Sequence, residues 1–151
     1  MKSTWSGRTV LPVPIEEVWA FLVDDDRDVE WRSPWVRSVR ALDDGPLGVG
    51  SRYETVYRFF GREEAVVVEI TVVDPPRRLA WRQGGGGPVT APVGSYELQT
   101  VDGGTRLTIG GSVDGHGLRG LTVPGFCWYL RTLAAPTELR QLQAAIRPVS
   151  T

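Results

Sequence analysis

At 151 residues the chain has the size of one domain and can bury roughly 70% of its unfolded surface. A hydrophobic content of 41% with 23% charge excludes a disordered or fibrous protein, and a net charge of −1 argues against a nucleic-acid or acidic-membrane partner. No apolar run approaches the roughly 20 residues of a membrane span, MKSTWSGRTV lacks a signal peptide's apolar segment, and a lone cysteine, Cys127, forms no internal disulfide. A cytoplasmic protein is expected.

In chain order, residues 3–11 (STWSGRTVL) read as a strand. Pro14 opens a helix over 14–23, with Glu16 and Glu17 at the positive end of its dipole and Ile15, Val18, Trp19 and Leu22 at helical spacing. A second short helix is expected over 25–31, ending before Ser33-Pro34. The period then changes to two. Strands are expected near 36–43, 49–60, 62–74, 78–83, 89–101 and 104–114, separated by DDGPLG, FGRE, DPP, GGGGP and DGG. Residues 117–123 are irregular. FCWYLRTLAAPTELRQLQAAI (126–146) forms a long helix with Leu130, Leu133, Leu142 and Ile146 on one side, which Pro136 kinks or divides. There is no internal repeat and no linker, so residues 1–151 make one domain.

This order is α+β: a curved seven-stranded antiparallel sheet around a long C-terminal helix, with two short helices after the first strand. The stretches VPIEEVWAFLVD (13–24), EWRSPWVRSVR (30–40), GVGSRYE (48–54), VVDPPRRLAWR (72–82), GSYELQTVDGGTRLT (94–108) and ELRQLQAAI (138–146) carry a resemblance over nearly the whole chain. They resemble the START-related SRPBCC superfamily, the helix-grip fold, and most of all its polyketide cyclase/dehydrase branch. The resemblance implies a hydrophobic cavity between sheet and helix, put to very diverse uses.

Three motifs invite other readings. Asp24, Asp25 and Asp28 fit the DDxxD pattern that binds magnesium in terpene synthases, but that chemistry needs a large all-helical cup. Asp24, Asp26 and Asp28 copy the first ligands of a calcium loop, yet Val29 stands where its glycine is required and Trp35 where its glutamate is. These carboxylates are therefore read as caps of the second helix, with Trp19 and Trp31 packed under the sheet. GHGLRG (115–120) fits a dinucleotide fingerprint, but no parallel βαβ unit surrounds it, so a hinge is expected. The tetraglycine 84–87 is a hairpin connection. One histidine and one cysteine cannot build the usual metal sets or a Ser-His-Asp triad, and neither a metal nor a cofactor is expected.

Strand parity identifies the inner wall. Tyr53, Thr55, Tyr57 and Phe59 alternate with charged residues and turn inward. On the next strand Val66, Val68, Ile70 and Val72 do the same, which carries Glu64 inward near its start. Leu79 and Trp81 face in, Tyr96 shares a face with Leu98, and Leu107 one with Ile109 and Val113. For residues 35–43 the parity is ambiguous, since a bulge there would reverse it. Tyr53, Tyr57, Phe59, Trp81 and Tyr96, with Phe126 and Tyr129 of the terminal helix, are the expected ligand-binding residues.

Glu64 and His116 are the candidate catalytic groups. A carboxylate in an apolar pocket serves as acid or base near neutrality, unless it sits at a strand end in water. His116 precedes the terminal helix, where it either shuttles a proton or is simply solvated. Cys127 has no histidine partner and is read as packing. Two functions stay open. One is a cofactor-independent cyclase or aromatase acting on a hydrophobic or aromatic small molecule; such enzymes work chiefly by holding a reactive chain in one shape. The other is a non-catalytic carrier of an apolar metabolite, either one being a monomer or homodimer. Sixteen arginines beside one lysine, Lys2, and no asparagine point to a GC-rich bacterial genome, and the resemblance implies a role in secondary metabolism there.

Overall fold

Strands β1 (Lys2–Leu11) and β2 (Val36–Ala41) lie at opposite edges of one seven-stranded antiparallel sheet, ordered β1-β7-β6-β5-β4-β3-β2. The remaining strands are β3 (Arg52–Phe59), β4 (Arg62–Asp74), β5 (Arg78–Gln83), β6 (Val89–Val101) and β7 (Gly104–Gly115). The computed structural model describes residues 2–83, 89–115 and 121–146. From β2 to β7 the chain is a meander, and β1 closes against β7 in register from Lys2↔Asp114 to Leu11↔Thr105. The chain must therefore cross from one edge of the sheet to the other between β1 and β2. Two short helices make that crossing: α1 (Ile15–Leu22), then a 3₁₀ turn (Asp25–Arg27) leading into α2 (Asp28–Arg32).

The alternation of apolar and polar residues set the strands as expected, with small changes at their ends. Three register shifts, at Val36/Ser38, Ile70/Val72 and Thr90/Val93, bend the sheet. The second of them corrects the expected parity. Ile70 pairs with Trp81, but after the bulge it is Val73 that pairs with Leu79 and packs on the core, not Val72. The first explains why residues 35–43 gave no clear parity, since Trp35 and Val36 are both buried.

The terminal helix differs from a regular one. Helix α3 (Val123–Tyr129) runs into a π turn (Leu130–Ala134), which runs into α4 (Ala135–Ala145) without a break. Pro136 has no N–H to donate and its ring crowds the preceding turn. The wider π turn accommodates this, so Pro136 neither splits the helix nor ends it. The inserted residue rotates the later turns of the helix about its axis. Leu133 is consequently 49% exposed, contrary to expectation, while Ala134 and Ala135 take the inner positions ahead of Leu139 and Leu142.

Two apolar clusters result. The larger joins α1, α2, α4 and the sheet around Trp31, which is fully buried, with Trp19 partly buried against it. The smaller gathers Trp35, Val113, Val123, Cys127, Leu130 and Ala134 under α3. Cys127 is thus a packing residue, as read. Among the described residues no helix is long and apolar enough to cross a membrane.

Candidate ligand cavity

Between the sheet and the terminal helix lies a partly open cavity of about 170 Å³. A single water needs roughly 10–15 Å³ by this measure, so the space admits an organic molecule. Tyr57 and Phe59 reach it from alternate positions of β3, Trp81 from β5 and Tyr96 from β6, while Phe126, Leu130 and Ala134 close it from the helical side. A second cavity of about 60 Å³ lies under α1 and α2. Arg32, Tyr57, Trp81 and Tyr96 border both and form the partition.

The structure brings together most of the expected residues. Tyr57, Phe59, Trp81, Tyr96 and Phe126 line the larger cavity. Tyr53 lines the smaller one instead. Tyr129 stands behind the wall: its hydroxyl accepts a 2.8 Å hydrogen bond from Trp35 Nε1 and its ring packs on Phe126. Glu64 faces the cavity as its parity requires and is paired with Tyr57, but it is an exposed residue at the rim rather than a carboxylate sunk in an apolar pocket. His116 lies outside the described residues.

A charged corner was not foreseen. Arg32 from α2 and Glu138 from α4 both line the larger cavity, and Asp28, one turn before Arg32, lines the smaller. Arg32 Nη2 donates a long hydrogen bond of 3.5 Å to the Tyr57 hydroxyl. Burial pushes the Glu138 carboxyl up to about 7 and the Asp28 carboxyl up to about 6, the Arg32 charge opposing both shifts. Burial likewise drives the Tyr96 phenol well above its usual range. Arg32 and Glu138 are both half-buried, and both line the cavity. Gln141 ties this corner together by donating from Nε2 to the Ser33 carbonyl at 2.8 Å.

A sequence signal for this corner existed. Glu138 lies four residues from both Ala134 and Leu142, on the inner stripe of the terminal helix, and Asp28 and Arg32 are four apart on a helix whose Trp31 is core. The acidic run concealed it. Asp28 is in fact a buried carboxylate, not a surface cap, and its Oδ1 has no hydrogen-bond partner. Among the described residues the carboxylates that converge within 4.8 Å are Asp24, Asp25 and Asp26, so neither pattern that needs Asp28 is assembled. Asp24 accepts from the Asp26 amide at 3.2 Å and lies 3.5 Å from Arg27, which is the capping role expected of it.

A curved antiparallel sheet gripping a terminal helix over an apolar cavity defines a helix-grip protein. The chain belongs to the family described as polyketide cyclase / dehydrase and lipid transport, whose model matches residues 4–147. Among solved structures it is similar to the di-domain ARO/CYC BexL from the BE-7585A biosynthetic pathway, with 15% identity and a TM-score of 0.76. That alignment covers 97% of this chain and 51% of BexL, so the chain spans about half of the di-domain. It is also similar to TTHA0849 from Thermus thermophilus, with 16% identity, 94% and 95% coverage and a TM-score of 0.76. Protein NE0264 from Nitrosomonas europaea aligns with 21% identity, 93% and 92% coverage and a TM-score of 0.68. Identities this low carry the fold alone. Among curated proteins none matches.

Proposed function

We propose that the protein binds a hydrophobic, aromatic small molecule in the larger cavity and promotes its cyclisation or dehydration, as part of bacterial secondary metabolism. The observation that carries this reading is an aromatic wall broken at one corner by Arg32, Tyr57, Tyr96 and Glu138. An apolar enclosure with few convergent polar groups orients a ligand and restricts its conformations, and restriction alone lowers the barrier to ring closure. Glu64, at the rim, and His116 act in this reading as proton-transfer groups. Tyr57 and Tyr96 hold carbonyl oxygens.

The second reading, a carrier without chemistry, is favoured by the position of Glu64 at the solvent-open rim. Mass spectrometry of small molecules that co-purify with the native protein tests the cavity: a stoichiometric aromatic ligand supports both readings, and a protein that neither carries one nor binds an apolar dye saturably defeats both. Turnover of that ligand's open-chain precursor, lowered about 10²–10⁴-fold in Glu64→Gln with binding retained, identifies the enzyme. Binding without turnover in the wild type identifies the carrier.

A further inference from the structure

Arg32 presents a largely unused hydrogen-bonding fork to the cavity. Among the described residues Arg32 forms no ion pair, and its one hydrogen bond is the long contact to Tyr57. A guanidinium has five N–H donors in a planar fork, and Arg32 uses one of them, weakly, on Tyr57, which leaves the rest of the fork available to a ligand in the cavity. The two carboxyls nearby do not pair directly with it: Glu138 of α4 lines the same cavity and Asp28 lines the smaller one, and each favours the Arg32 charge without forming an ion pair with it. Filling the cavity with a purely hydrocarbon ligand would remove water from this fork and leave it unmet. An anionic oxygen on the ligand would meet it.

We propose that Arg32 and Glu138 form an oxyanion site, which takes an apolar ligand bearing one acidic oxygen, either a carboxylate or the enolate of a 1,3-dicarbonyl compound. The oxygen lies on the Arg32 fork and the Glu138 carboxyl lies beside it. This rests on the cavity being a ligand site, as proposed above. With a carboxylate, protonated Glu138 donates a hydrogen bond and no like charge opposes the ligand. With an enol, the ligand O–H bond breaks, its proton passes to ionised Glu138, and the electron pair stays on the ligand oxygen under Arg32. Glu138 is suited to both roles because burial brings its titration to about 7. The charged and titratable groups facing it are Arg32 and Asp28 of α2, Tyr57 of β3, Tyr96 of β6 and, along the same wall, Glu64 of β4.

Calorimetric titration of the full chain with 2-naphthoate and with its neutral methyl ester tests the site. At pH 7 the wild type should bind naphthoate at least about tenfold tighter than the ester, the effect of one desolvated charge pair. Naphthoate stays ionised above pH 6, so its affinity should rise by up to about eightfold from pH 8 to about 6.5, the change in protonated fraction of a group titrating near 7. Arg32→Gln should bind the ester as before and lose the preference. Glu138→Gln should keep the preference and lose the pH dependence. Benzoylacetone distinguishes the sources: an enolate absorption band on binding points to an enolisable ligand, and its absence beside a naphthoate preference points to a carboxylic acid. If the ester binds and naphthoate binds no better, or if folded Arg32→Gln retains the preference, the oxyanion site is wrong while the cavity stands. If neither compound binds, both fall. Should Arg32→Gln fail to fold, the wild-type comparison and the Glu138→Gln pH series decide without it.

Discussion

Trp81 of β5 and Gly94 of β6 are directly paired, and the indole lies so close over the glycine that a Cβ there would stand 2.5 Å from Cε2. The missing side chain is what lets the largest ring of the partition lie flat against the sheet. Gly94→Ala should therefore push Trp81 off the sheet and into the cavity that both residues line. The expected outcome is a loss of ligand affinity of at least about tenfold, at a cost in stability of roughly 1–3 kcal/mol, the range for overpacking. Dye binding and thermal melting measured on the same samples check it. A variant that binds like the wild type would mean that the indole has room to move elsewhere.

Phe60 and Gly61 form the turn between β3 and β4, and both have positive φ, 52° and 79°. That geometry suits asparagine or glycine, and phenylalanine in it costs about 1 kcal/mol or more. The ring is 76% exposed, yet it contacts Tyr129 at a centroid distance of 5.2 Å, just outside the Phe59–Phe126 pair that borders the cavity. The hairpin and α3 thus close over the mouth through aromatic contacts. Phe60→Asn should relieve the turn and loosen the clasp together, leaving the melting temperature nearly unchanged while ligand dissociation quickens several-fold. Stopped-flow displacement of a bound dye measures this, and hydrogen exchange over 121–134 should slow when ligand is added. Unchanged dissociation would place the access route elsewhere.

Legibility followed the kind of physics involved. Strand limits could be read because solvent faces only one side of each strand, so Glu69 and Thr71 reveal where Ile70 points. Tyr57, Phe59, Trp81 and Tyr96 were reached through that parity. Parity fails wherever a residue is inserted without a compositional mark. Val72 was misplaced by the bulge at Ile70/Val72, and Leu133 by the π turn ahead of Pro136. Arg32, Asp28 and Glu138 were missed for another reason. Each is charged and sits on a short or interrupted helix, where charge ordinarily signals a solvated face, and only the crossing of α2 over α4 turns them inward.

The acidic run Asp24–Asp26 is a capped helix start, and the prediction for it is that metal is irrelevant. Asp24 is already engaged by the Asp26 amide and by Arg27, and the site is open to water. Chelator should leave the melting temperature unchanged, and Asp25→Asn should lie within about 0.5 kcal/mol of the wild type, as surface substitutions do. Calcium or magnesium retained stoichiometrically through dialysis would overturn this.

The buried carboxyls predict an unusual pH profile. Asp28 titrates at about 6 rather than 3.8, and Glu138 at about 7 rather than 4.5, in both cases because burial penalises the charged form. Between the unfolded and native values the folded protein holds more protons than the unfolded chain, so unfolding free energy falls as pH rises from about 4 to about 7 and levels off above that. Titration about two pH units above the ordinary range corresponds to roughly 3 kcal/mol for each group, an upper figure because Arg32 and water relax the penalty. The wild type should melt several degrees higher at pH 5 than at pH 8, at roughly 2–4 °C per kcal/mol for a chain of this size. Glu138→Gln should remove the upper part of the slope and raise the melting temperature at pH 8, where the native carboxylate is charged, with little effect at pH 5, where it is already neutral. Asp28→Asn should flatten the lower part. If the wild type grows steadily more stable from pH 5 to pH 8, or if Glu138→Gln follows it at every pH, then water reaches these carboxyls in the folded state and the corner is less enclosed than its geometry indicates.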